Sequence, residues 1–335
     1  MWTETSIIDG NMTAIAILVV ACAAVAVAVI IHDFFEGETL LADIAEEFRL
    51  SRLSLHALDK AWARNSNRTA AVVSLTSIPS RLPFIAPTIK SLLQQSVAPQ
   101  KIILNIPSVS LREGVPYVVP EFLKGLEAVE IHICPDLGPA TKLLPSLKRL
   151  PPSQPILVVD DDRIYHRSAL ADLLGAVRAQ PEAAFGLSGW SVPEDLTDRP
   201  TTVWSNLLMR APSPIRARRL RKAVQVDILQ GFSGYIVRPD QFDLAGVTQY
   251  EGAPSAARLV DDVWFAAHCR APRFVCPARR TNFQAKLLRR RYRLTSLGLI
   301  NRGPGGDENR SNSIVIRHFS GRWLCQTRPG AGSSS

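Results

Sequence analysis

The stretch from Pro155 to Tyr165 constrains this chain more than any other. Ile156, Leu157, Val158 and Val159 read as a strand buried on both faces, because a half-exposed strand would alternate polar and apolar side chains. The run stops at three consecutive carboxylates, Asp160, Asp161 and Asp162. Adjacent like charges repel, so such a cluster at the end of a buried strand calls for a divalent cation or a cationic ligand to neutralise it. That edge is also where open α/β sheets bind ligands. A solvated loop that caps a helix over 168–179 is the plainer explanation of the same acids.

The segments before this strand alternate. Strands are expected over 70–75, 101–106 and 129–134, and helices over 84–95, 121–126 and 140–150. Strands separated by helical patterns of that length predict βαβ units and an α/β fold with a mostly parallel sheet, whose fourth strand the acidic triplet closes. At 335 residues and 46% hydrophobic content the chain has room for one sizeable domain with appendages. Neither G-x-G-x-x-G nor G-x-x-x-x-G-K-[ST] occurs, so a dinucleotide fold or a P-loop loses its support. The five cysteines are scattered and lack C-x-x-C spacing, which signals neither zinc nor a disulfide framework.

From Met12 to Ile31 twenty residues carry no charge. At 1.5 Å per residue this matches a hydrocarbon core of about 30 Å, and predicts a single-pass membrane helix. A cleaved signal would bring a basic leading region, whereas Glu4 and Asp9 precede this run without any Lys or Arg. Arg49 and Arg52 favour a cytoplasmic position for the remainder; sequons at Asn67 and Asn309 would be used only in a eukaryotic secretory lumen. Leu41, Ile44, Phe48, Leu55, Leu58 and Trp62 recur at helical spacing, as in an amphipathic stem helix. The expected layout is a tail over 1–11, the span over 12–31, stem and linker over 32–69, the globular domain over 70–328 and a disordered tail over 329–335.

Five blocks in order carry a family resemblance. Thr76-Ser77-Ile78-Pro79-Ser80-Arg81, Ser91-Leu92-Leu93-Gln94-Gln95 and Ile103-Leu104-Asn105-Ile106-Pro107 resemble the opening of GT-A-type nucleotide-sugar glycosyltransferases. Gly138-Pro139-Ala140-Thr141-Lys142-Leu143-Leu144-Pro145 and the Asp160-Asp161-Asp162 triplet look like landmarks of a family 2-like branch of that group. The resemblance spans residues 70–190 and, more loosely, 226–270. It implies a GT-A-like fold, a nucleotide-sugar donor, a glycan, lipid-linked or other hydroxyl acceptor, and Mn2+ or Mg2+ bridging the donor diphosphate. Asp160 and Asp162, on one side of an extended segment, would hold the metal, with His318 as a third ligand. Asp161 would then face solvent, cap a helix or border the donor. Thr76, Arg81, Lys142 and Asp160 are the other donor-side residues that the resemblance implies.

In the second half Val226 to Pro239 reads as two strands around Gly231 and Gly234, which would let backbone approach the acceptor. Asp261 and Asp262 open an apolar helix that contains Trp264, another acceptor-side candidate. Acids there cap helices in most proteins. The resemblance implies instead that one of them, preferably Asp262, is the general base of an inverting transfer.

The net charge is +9, with six Lys or Arg and no acid over 210–222 and nine over 270–293. Tracts of this density suit a membrane surface or a polyanionic ligand. A non-catalytic binding protein for anionic ligands is therefore the rival to the transferase. Nucleic acid is not an expected partner, since no recognised module accompanies the charge and aromatics are 7%.

Overall fold

A computed structural model of the chain describes residues 3–211, 213–296 and 305–327. The tail expected over 329–335 lies outside the described residues.

The chain opens with helices α1 (Thr3–Glu36), α2 (Leu40–Ser51) and α3 (Leu55–Arg64). Strands β1 (Val72–Leu75), β2 (Ile102–Ile106), β3 (Val129–Ile133) and β4 (Ile156–Val158) follow, with α4 (Ala86–Leu93) and α5 (Leu144–Arg149) between them. Next come β5 (Arg163–Tyr165), α6 (Ala169–Ala179), β6 (Ala184–Gly186), β7 (Ser188–Trp190), α7 (Val203–Leu208), β8 (Ile215–Arg216), β9 (Val224–Gln225), β10 (Ile228–Leu229) and β11 (Tyr235–Val237). The last part contains α8 (Leu244–Thr248), α9 (Asp261–His268), β12 (Arg273–Val275), β13 (Asn282–Gln284), α10 (Arg289–Leu294), α11 (Ser311–His318) and α12 (Leu324–Thr327).

The main sheet runs β3-β2-β1-β4-β11-β6-β12-β9. β1 to β4 are mutually parallel, with Val73 opposite Ile102 on one side and Leu157 on the other. β12 is parallel to β6, while β11 runs antiparallel between β4 and β6, and β9 antiparallel beside β12. The fold class is the expected one, α/β with a mostly parallel sheet between helices. β1, β2 and β4 are buried along their whole length, which is why they read as unbroken apolar runs. β3 lies at the edge, and tolerates Glu130 and His132 because it is partly exposed. Parallel β1 and β4 end side by side, so Thr76 and the triplet emerge at the same sheet edge.

Two helices differ from expectation. The one over 121–126 is a single 3-10 turn, Glu121–Leu123, because Gly125, at φ 73°, turns the chain away. The one over 140–150 is split into a 3-10 turn, Gly138–Lys142, and α5. Pro145 lacks an N–H and is accommodated only in a helix's first turn, so α5 has to restart there. The Lys142 carbonyl is left for the Ser74 hydroxyl, which donates to it at 2.6 Å and ties Lys142 to β1.

α1 contains one segment, Ala14–Glu36, long and apolar enough to cross a membrane, and no protein covers its most apolar stretch. The stem is two helices with unlike surroundings. Leu41, Ile44 and Phe48 on α2 are exposed, whereas Leu55, Leu58 and Trp62 on α3 enter the main core. Trp62 Nε1 donates to the Pro99 carbonyl at 3.0 Å, and the Asp59 carboxylate accepts the N–H groups of Glu127 and Ala128 at 2.9 and 2.8 Å. We therefore assign α3 to the globular unit, whose boundary moves ahead of residue 70. A chain that begins at Thr39 should unfold cooperatively, while one that begins at Asn65 should lose several kcal/mol, since burying one large apolar side chain contributes about 1.5–3 kcal/mol. Equal melting temperatures for the two would refute this assignment.

Candidate active site

Lys142 is the centre of the site. Its ammonium is buried, yet lies 2.7 Å from Asp160 Oδ1, 2.9 Å from Asp261 Oδ2 and 4.0 Å from Asp262 Oδ1. Burial alone would lower its pKa, but the three carboxylates outweigh burial and hold the pKa well above the usual lysine value. Lys142 is therefore a permanent cation. Residues from three places meet there: the restart before α5 delivers Lys142, the end of β4 delivers Asp160, and the first turn of α9 delivers Asp261 and Asp262.

A second cation serves the rest of the triplet. Arg81 Nη1 lies 3.1 Å from Asp161 Oδ1 and 3.8 Å from Asp162 Oδ2. Asp161 also accepts the Ser77 hydroxyl at 2.5 Å. It is buried, not facing solvent, and caps no helix; burial raises its pKa against the pull of Arg81. Arg81 further donates to Thr295 Oγ1 at 2.7 Å and to the Tyr292 carbonyl at 2.9 Å, which pins the end of α10 over the site. The repulsion within the triplet is thus relieved by the chain's own Lys142 and Arg81.

The two acids that open α9 are not equivalent. Neither gives its helix a side-chain cap. Asp261 is the more deeply buried, 10% exposed against 27% for Asp262, and pairs with Lys142. Asp262 instead accepts the Gly231 N–H at 3.2 and 3.1 Å through its two oxygens. Burial raises the Asp262 pKa, with Asp261 and Asp160 adding to the rise and Lys142 opposing it. A carboxylate shifted upward and still reachable from the pocket suits a proton acceptor near neutral pH.

These groups border a cavity of about 450 Å3 at the sheet edge, lined also by Thr76, Arg112, Tyr117, Trp190 and Phe232. Thr76 Oγ1 donates to the Asn105 carbonyl at 2.7 Å, so its hydroxyl can meet a ligand only as an acceptor. Arg112 donates to the Thr295 carbonyl at 2.8 Å, and burial and the nearby Arg81 lower its pKa. Arg112 was not legible in the sequence, as it stands alone in an irregular loop without pattern; Ser77 and Phe232 are neighbours of site candidates but carry no signal of their own.

Other expectations are corrected. Asp162 turns away from this cavity, accepting from Gln284 Nε2 at 2.9 Å. His318 is exposed at the end of α11, with its ring 4.7 Å from that of Phe319, and does not line the cavity. The Mn2+ or Mg2+ site expected from Asp160, Asp162 and His318 therefore does not fit: its members diverge, and an ammonium already sits against Asp160. Among the described residues no three His, Cys, Asp or Glu side chains are arranged to hold a metal. Trp264 is a core residue, stacked 4.4 Å from the Tyr250 ring and donating to the Val247 carbonyl, since an apolar helix face packs inward. Gly234, at φ 87°, packs against Tyr165 and does not line the cavity.

Gly231 does belong here. A Cβ on it would stand 2.7 Å from Lys142 Nζ and 3.2 Å from oxygens of Asp160 and Asp262. Gly231→Ala should push the ammonium off its carboxylates, costing about 1–3 kcal/mol in stability as overpacking does and most of any activity. A variant as stable and active as the parent would show that the cluster has slack.

No family model and no curated protein sequence matches this chain. Among solved structures it is similar to the 2-C-methyl-D-erythritol 4-phosphate cytidylyltransferase IspD of Francisella tularensis, at 13% identity over 65% of this chain and 94% of that one, with a TM-score of 0.38. It is similar to residues 1–349 of S. aureus TarS at 11% identity, over 75% of this chain and 70% of that one, TM-score 0.38. GalNAc-T7, solved with UDP, GalNAc and Mn2+, is similar at 10% identity over 62% and 41%, TM-score 0.38. Values this low assign no residue and no reaction.

Proposed function

We propose that this protein is a membrane-anchored glycosyltransferase that moves a sugar from a nucleotide-sugar donor to an acceptor hydroxyl with inversion. The observation that supports it is Asp262, a reachable carboxylate of raised pKa, on a pocket that Arg81, Arg112 and Lys142 also line. In this reading the three cations face the diphosphate, and stabilise the charge that grows on it as it leaves. Asp262 takes the proton of the acceptor hydroxyl while that oxygen bonds to the anomeric carbon. The bond from that carbon to the phosphate oxygen breaks, and its electron pair departs with the nucleoside diphosphate. Asp160 and Asp261 keep Lys142 charged and in place; Thr76 borders the nucleotide. No divalent ion enters this scheme, because Lys142 is the cation among the carboxylates.

The test uses the purified full chain in detergent, supplied with a membrane extract of the cells that make it as the source of acceptors, and a panel of labelled sugar nucleotides, each with EDTA or with excess Mn2+. One donor should release nucleoside diphosphate at similar rates in both conditions. Release from no donor refutes the transferase; release that requires Mn2+ keeps the transferase and refutes the role given to Lys142.

A further inference from the structure

Helix α7 buries none of its residues within the protein. Val203, Trp204, Leu207 and Leu208 on it are 68%, 72%, 42% and 56% exposed. Apolar surface left in water costs about 25 cal/mol per Å2, so a six-residue helix of this composition calls for a covering.

Its neighbours indicate which. Asn206 Nδ2 donates to the Phe35 carbonyl at 3.3 Å, and the Arg219 guanidinium lies 4.3 Å from the Phe34 ring centre while donating to the Asn206 carbonyl at 2.7 Å. Arg216 and Arg218 donate to the carbonyls of Glu36 and Glu38. α7 is thereby fastened to the last turn of α1, the level at which a spanning helix leaves the hydrocarbon. Tryptophan favours that level, and a basic tract there meets anionic headgroups.

A second cavity, of about 540 Å3, is walled by Arg216, Arg310 and Thr201, two residues ahead of α7, among others. Trp190, Gln230, Phe232 and Asn312 line both this cavity and the one that holds Asp262, so the two adjoin and form the two ends of one groove in the proposal below. The charged side chains that line this second cavity are Arg199, Arg216 and Arg310 and one carboxylate, Asp198, which Arg310 holds at 2.9 Å, so the positive excess is confined to the end away from Asp262. The buried Nε of Arg216 has no hydrogen-bond partner.

We propose that α7 and the end of α1 seat this groove on an anionic bilayer, and that the acceptor is the headgroup of a membrane lipid entering from there. This rests on the transferase and membrane-anchor reading above. The apolar face supplies insertion, the arginines attract phosphate, and the aromatic walls of Trp190 and Phe232 give the head a surface to pack against on its way to Asp262.

Two measurements on the full chain test it. In vesicles of phosphatidylcholine and phosphatidylglycerol with brominated acyl chains, tryptophan quenching in the parent is compared with that in Trp204→Phe, so that the other tryptophans cancel. Parent fluorescence should be quenched more, and the difference should shrink without phosphatidylglycerol. Equal quenching overturns the docking. Vesicles that fail to retain the protein through an alkaline wash would refute the anchor itself. Secondly, washed membranes of cells that make the protein are given the labelled donor, and should yield label extractable into chloroform and methanol, reduced several-fold by Leu208→Glu. Label confined to water-soluble or protein-bound product overturns the lipid acceptor and leaves the transferase standing; no incorporation and no donor turnover counts against the transferase.

Discussion

Asp262→Asn lowers the rate of transfer by about 10²- to 10⁴-fold, the usual worth of a positioned base, and leaves donor affinity intact. Asparagine keeps an oxygen that can accept the Gly231 N–H, so the contact that orients the side chain survives and only its basicity is lost. The pH profile adds a check. Asp262 must be ionised to take a proton, and burial has raised its pKa, so the parent's rate falls as pH drops through a value above the ordinary carboxylate range near ~4. That acidic limb should be missing in the variant. Were Asp262 only a structural acceptor for Gly231, Asp262→Asn would transfer at nearly the parent rate; Asp261→Asn, which strips a partner from Lys142, would then be the next candidate base to examine.

Lys142→Met has the largest expected effect on stability. Methionine fills a similar volume, but Asp160, Asp261 and Asp262 lose the one cation they share. Removing one partner from a buried ion pair costs about 3–5 kcal/mol. Asp261 and Asp262, whose pKa values burial already raises, respond by taking protons, and those values climb further. The sign follows: an acid whose folded pKa exceeds its unfolded one makes the fold more stable below the unfolded value, and that stability is lost as pH rises through the folded pKa. The variant should therefore melt far below the parent at neutral pH and regain much of the gap near pH ~5, between the unfolded carboxylate pKa and the raised ones. Donor binding should be lost at either pH. A deficit that does not change with pH would mean that the three acids do not depend on Lys142.

Unbroken apolar runs were enough for the parallel half of the sheet, whereas β6, β9 and β12 were not expected. β1, β2 and β4 are covered on both faces, and only uninterrupted apolar runs satisfy that, so their positions were legible to within a residue or two. The helices between them were less so. Pro145 acts through a missing N–H, and whether a proline splits or starts a helix depends on what the freed groups meet in the fold. The amphipathic stripe of the stem was visible, but Leu41 and Leu55 look alike in sequence. Only packing separates the exposed face of α2 from the buried one of α3.

For the site, the sequence by itself determined where charge accumulates: a triplet after β4, a pair at α9, an isolated Lys142 and Arg81. It left two outcomes for the triplet, a solvated loop or a neutralising cation, since three adjacent carboxylates repel unless water or a cation relieves them. Which cation was decided by tertiary structure, because ion pairing acts through space at a few ångströms while these residues are far apart along the chain: Lys142 from Asp261, Arg81 from Asp161. The alternation expected of an extended segment would have placed Asp160 and Asp162 together. The backbone turns within the triplet, sends Asp160 to Lys142 and Asp162 to Gln284, and leaves Asp161 under Arg81. The same contrast holds at the other end of the groove, where α7's apolar residues are plain in the sequence and their place beside the last turn of α1 is a matter of contacts between residues 34–38 and 206–219.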